Sequence, residues 1–196
     1  MSTPVTTNFK MYQGSTFKEV IRWESSNLVF KTITGITKAA PVVITAPAHG
    51  VPKGWRILTT DISGTKELND ASNYKNVTDV TTDTLVMGEI NGASYTAYTT
   101  GGIVTYYAPV NLAGYTARMQ IREKIDSTTT LFDLTTSNGG IVIDTANSTI
   151  TITISATSTA LATFSSGVYS LEMVDGAGNV TTLLTGKITL VKEVTR

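Results

Sequence analysis

Between Thr149 and Ser155 the chain reads Thr-Ile-Thr-Ile-Thr-Ile-Ser, a strict alternation of polar and apolar side chains. A strand sends successive side chains to opposite faces, whereas a helix groups residues three and four apart. The run therefore predicts a half-buried strand, with Ile150, Ile152 and Ile154 turned toward a core.

The same texture recurs along the chain. Thr116-Ala-Arg-Met-Gln-Ile-Arg122 alternates, with Ala117, Met119 and Ile121 on one face and Arg118, Gln120 and Arg122 on the other. Val168–Val174 and Val180–Leu184 flank Asp175-Gly-Ala-Gly-Asn179, whose residues tolerate positive φ, so a hairpin is predicted there. Lys187–Val191, Trp55–Thr60 and Thr84–Met87 read as further strands. Thr16–Trp23 shifts phase through Val20 and Ile21, which predicts a bulge or two buried faces. Helix is limited to a turn or two over Ser158–Phe164 and a short turn over Lys66–Asp70.

Composition reinforces sheet. Threonine, β-branched and stiff at χ1, makes up roughly one residue in five, while charged residues are only 15%. Fifteen basic and fifteen acidic residues cancel, leaving no basic stripe of the kind nucleic-acid binding requires. No nucleic-acid partner is expected. A weakly charged, neutral surface also lacks the usual protection against self-association, which suits a protein packed against partners. The absence of cysteine removes disulfides, thiolate metal sites and cysteine nucleophiles, and fits folding in a reducing cytoplasm. The first residues lack the charged and apolar regions of a signal peptide, and no apolar run approaches the roughly 20 residues of a membrane span. Neither secretion by a signal peptide nor a membrane partner is expected.

The fold class expected is all-β: an immunoglobulin-like or related antiparallel β-sandwich carrying an inserted small β-barrel-like domain. The insert is placed at 33–107, where tyrosine and glycine are dense, as in Gly92–Gly102. Removing it leaves a discontinuous host sandwich, 1–32 and 108–196, near the common size of one domain.

Candidate chemistry is sparse. His49, in Ala46-Pro-Ala-His-Gly-Val-Pro52, is the only histidine and has no second His or Cys to complete a metal or triad set, so it reads as a turn residue. Asp61, Asp79, Asp83, Asp133, Asp144 and Asp175 mostly fall where turns are expected, which favours backbone capping over paired-carboxylate catalysis. Asp175–Asn179 lacks both the ligand alternation of a calcium loop and the helix that follows a nucleotide loop. No catalytic residue, cofactor or metal is expected. Asn76, Asn147 and Asn179 begin N-x-Thr sequons, which so threonine-rich a chain produces by chance. Two groups remain as interface or ligand contacts. Arg118, Arg122 and Lys124 line one strand face, either as a partner-binding stripe or as a solvated sheet face. Tyr95, Tyr98, Tyr106 and Tyr107 make either an aromatic platform for sugars or a subunit interface, or else pack the core and edges of the insert.

The host portion resembles β-sandwich domains of tailed-bacteriophage virion proteins, including the N-terminal type of some baseplate proteins. The resemblance is carried in order by Tyr12–Phe17, Leu112–Arg122, Asn138–Ile143, Ile150–Ser155, Gly167–Val174 and Val194–Arg196. The insert is similar to the first catalytic cysteine half-domain of ubiquitin-activating enzymes, a module that recurs in phage proteins. Its matching pieces are Ala48–Gly50, Glu67–Asn69, Tyr74–Val77, Val80–Leu85 and Tyr95–Tyr98. With no cysteine present, thioester chemistry does not transfer, and the resemblance implies a rigid binding or spacer module. It further implies a virion location, synthesis in the host cytoplasm, other virion proteins as partners and a symmetric homo-oligomer in the tail, baseplate or neck. Capsid decoration, a head fibre, or glycan binding at the host surface are the alternatives.

Overall fold

The computed structural model describes residues 3–194; Met1, Ser2, Thr195 and Arg196, and so the end of the Val194–Arg196 segment, lie outside the described residues. The chain begins with strands Val5–Thr6 (β1), Phe9–Tyr12 (β2), Phe17–Arg22 (β3) and Glu24–Thr32 (β4). Next come Gly35–Ile36 (β5), Val42–Thr45 (β6), Arg56–Ser63 (β7), Asp70–Asn76 (β8), Asp79–Val80 (β9), Thr84–Met87 (β10) and Thr100–Pro109 (β11). Thr116–Arg122 (β12), Phe132–Thr135 (β13), Ile141–Asp144 (β14), Thr149–Ile154 (β15), Ser166–Val174 (β16) and Val180–Val191 (β17) follow. Among the described residues helix is confined to Ala156–Ala160 (α1) and a single 3-10 turn at Lys66–Leu68. The chain is all-β.

Two compact units divide it. The first comprises Met1–Ile21, Asn111–Thr145 and Thr149–Arg196. Its larger sheet runs β1-β17-β16-β12-β13, with β2 also on β17, and a smaller sheet runs β14-β15-β3. β1 and β2 pair with β17 in parallel, while β17, β16, β12 and β13 are mutually antiparallel. Inward positions of the alternating strands supply the core: Ala117, Met119 and Ile121 from β12, Ile150, Ile152 and Ile154 from β15, and Tyr169, Leu171 and Met173 from β16. The predicted hairpin is present, with Val174 opposite Val180 and the Asp175 carboxylate accepting from the amides of Ala177 and Asn179. Helix α1 starts earlier than Ser158, because Ser155 caps it by accepting from the Ser158 amide at 3.1 Å.

The second unit comprises Arg22–Val110 with Ala146–Ser148. It holds two four-stranded sheets, β4-β11-β7-β8 and β5-β6-β10-β9, around a core of Trp55, Ile57, Leu68, Leu85, Met87 and Val104 among others. The sheets do not close, so the barrel-like shape expected of the insert is replaced by two open sheets. This unit is wider than 33–107 at both ends for one reason. β4 and β11 are antiparallel partners over Thr32–Leu28 and Ile103–Tyr107, and a sheet cannot be divided between its own hydrogen-bonded strands.

Candidate assembly surfaces

β11 sorts the unit-two sheet into two faces. Gly102, Val104 and Tyr106 point inward, and Ile103, Thr105 and Tyr107 point out. Register carries the outer face across the sheet: Phe30 and Leu58 flank Thr105, while Leu28 lies beside Tyr107. Phe30 is 62% exposed and Leu28 44%. One end of this face is polar. Arg56 forms a two-pronged ion pair with Glu24, Nε to Oε1 at 2.8 Å and Nη2 to Oε2 at 2.7 Å, and its guanidinium lies 4.6 Å from the Tyr74 ring centre. The hydrogen bond to Glu24 raises the Arg56 pKa, whereas burial and the neighbouring Arg56 lower that of Arg22. The guanidinium of Arg22 donates to the Gly54 carbonyl at 2.7 Å.

The tyrosines selected from sequence separate. Tyr106 is 4% exposed and donates to the His49 carbonyl, which withdraws it from any contact surface. Tyr95 and Tyr98 pack against the unit-two core, and the Tyr98 hydroxyl reaches the carbonyls of Ile33 and Gly101 at 3.1 and 3.0 Å. Tyr107 alone of the four belongs to the outer face of this sheet. Period two explains the division of Tyr106 from Tyr107, since adjacent strand residues must face opposite ways.

Arg118 and Arg122 share the outer face of β12 in unit one. Arg118 pairs with Glu172 at 2.7 Å across the β12–β16 ladder. Arg122 donates to the Gln120 amide oxygen and to the Ser127 carbonyl. Lys124 lies beyond the end of β12, in the turn closed by the Ser127 amide on the Lys124 carbonyl, so it does not extend the strand face. Arg122 does line a cleft of about 650 Å³ on this face, with Gln120, Ile125, Val168, Asn8 and Lys187. Ile125 overhangs it, 84% exposed.

His49 is a buried structural residue. Its Nδ1 accepts from the Val51 amide at 2.9 Å, which places the proton on Nε2 facing the Thr84 carbonyl at 3.2 Å. The carboxylates are not all turn residues as expected. Asp61, Asp79, Asp133 and Asp144 lie in β7, β9, β13 and β14, with Asp79 paired to Lys53 at 3.1 Å. Asp83 and Asp175 do brace loops, accepting from the Ala48 amide and from Asn179. Among the described residues no group of three or more His, Cys, Asp and Glu side chains is placed to hold a metal ion, and no helix is long and apolar enough to cross a membrane.

Leu28 and Phe30 are not among the contact residues expected from sequence. Their signal was the run Leu28-Val29-Phe30, three apolar residues without alternation, which forces apolar side chains onto both faces of any strand that contains it. Comparison with known proteins matches no family model and no curated protein.

Proposed function

We propose that the chain is a structural component of a tailed-phage virion, in the tail, baseplate or neck, and works by protein–protein assembly without catalysis. The observation that carries assembly is the outer edge of the unit-two sheet, where Leu28 and Phe30 stand exposed beside Tyr107 and Ile103. Soluble proteins usually protect edge strands with charge, proline or a cover, and apolar side chains there mark a contact surface. The virion setting is supported by the ordered resemblance of the host segments to phage baseplate-type sandwiches. The glycan alternative, drawn on Tyr95 and Tyr98, loses support because both rings are packed against the core.

The reading is tested by growing the phage with an amber codon in the gene, in suppressing and non-suppressing hosts. Particles from the non-suppressing host are expected to have defective or missing tails. Intact, infectious particles without the chain would overturn the proposal.

A further inference from the structure

We propose that β4 is the seat of a two-fold contact between two copies of this chain, in which Leu28–Thr32 pairs antiparallel with the same residues of the second copy. The inference deepens the assembly reading above and rests on it.

The backbone fixes which groups are on offer. The Ile33 amide donates to the Gly102 carbonyl at 2.9 Å, so Ile33 turns its peptide groups toward β11. Alternation then directs those of Lys31 and Val29 the same way, and those of Leu28, Phe30 and Thr32 to the opposite side, where β4 ends its sheet and, among the described residues, pairs with no further strand. Both limits of this open edge are defined. At one end Ser25, Ser26 and Asn27 bulge out of register, since Pro109 pairs with Glu24 and Tyr107 with Leu28. At the other, the Thr34 amide turns to the Thr45 carbonyl at 2.8 Å. Leu28–Thr32 is thus a short regular strand whose free side asks for another strand.

Self-complementarity identifies the occupant. A two-fold axis at Phe30 places Phe30 opposite Phe30 of the second copy and Leu28 opposite Thr32. These are the residues whose peptide groups face outward, so each becomes a hydrogen-bonded pair. Lys31, the one charged residue of the stretch, falls opposite Val29 and not opposite itself, so no like charges meet across the pair. Its ammonium is also committed within its own chain, to the Ala48 carbonyl at 2.7 Å. The contact covers the two most exposed apolar side chains of β4 with each other's surface.

The chain has no cysteine, so one introduced thiol reports the register. In a hydrogen-bonded antiparallel pair the facing Cα atoms lie about 5.5 Å apart, within disulfide reach. Phe30→Cys is expected to form a disulfide-linked dimer under mild oxidation. Leu28→Cys, displaced from its own copy by about 13 Å along the strands, is expected not to. Sedimentation of the unmodified chain should show a concentration-dependent dimer that Phe30→Lys weakens at least tenfold. Equal cross-linking of both cysteine variants, cross-linking of neither, or a monomer at every concentration would overturn the pairing. Mass spectrometry of purified particles separates the two claims. The chain found in particles without Phe30→Cys cross-linking overturns the β4 contact and leaves the virion reading. Cross-linking with the chain absent from particles does the reverse. If Phe30→Lys displaces an always-monomeric chain from particles, a strand of another virion protein occupies the edge and the two-fold contact is overturned.

Discussion

The phenol of Tyr106 donates a 2.7 Å hydrogen bond to the main-chain carbonyl of His49, and both residues are buried. The bond ties the inner face of β11 to the 47–52 loop, which His49 itself organises through Val51 and Thr84. Tyr106→Phe removes the donor and leaves that carbonyl without it, at a cost of about 1–2 kcal/mol. Denaturant unfolding followed by tryptophan fluorescence checks this, because Trp55 lies in the same core. Tyr107→Phe, one residue on but facing outward, is expected to change stability by less than about 0.5 kcal/mol.

Gly186 lies on β17 between its parallel pairings with β1 and with β2. A β-carbon there would lie 1.8 Å from the Thr7 carbonyl oxygen, at the break between β1 and β2. The break is held by the Thr7 amide on the Thr185 carbonyl and by the Asn8 side chain accepting from the Lys187 amide. Gly186→Ala must push Thr7 away, and is expected to destabilise by about 1–3 kcal/mol. Accelerated amide exchange at Thr7 and Lys187 would accompany the loss.

Tyr169 gives the fold an alkaline limit. Its hydroxyl donates to the Thr7 carbonyl at 2.7 Å, its ring stacks on Phe9, and burial pushes its pKa up to about 12. A raised folded pKa means the contribution is complete below the unfolded value of about 10 and is lost as pH rises through about 12. Stability should therefore fall between those values, and Tyr169→Phe should flatten that part of the pH profile while lowering stability at neutral pH.

Asp70 acts at the acid end. Its carboxylate accepts from the amides of Ser72 and Asn73 and from the Asn73 side chain, which depresses its pKa to about 2. A depressed folded pKa means the contribution is present above the unfolded value of about 3.9 and is lost as pH falls toward about 2. Unfolding midpoints of the unmodified chain and of Asp70→Ala should differ at pH 7 and converge toward pH 2.

Where one face of a strand is buried and the other wet, the sequence announces it. Thr149–Ser155 predicted Ile150, Ile152 and Ile154 inward, and their exposures are 0%, 0% and 3%. The Asp175–Asn179 hairpin and the Lys66–Leu68 turn were legible from turn chemistry. β4 was not, because Ser25, Ser26 and Asn27 carry no alternation and Leu28-Val29-Phe30 carries apolar groups on both faces. The tyrosine-rich stretch left core packing and surface contact both open for a different reason. Composition reports how many aromatic rings are close in sequence, but the pleat decides which of them reach solvent, and it buried Tyr106 beside outward-facing Tyr107.

Presence of the chain in the particle is the most direct test of a structural role in the virion. Quantitative mass spectrometry of density-purified virions should find it at a fixed ratio to the other virion proteins, retained after high-salt washing and absent from the soluble fraction of the gradient. Its absence from purified virions, or a ratio that drifts with washing, would contradict a structural role in the virion.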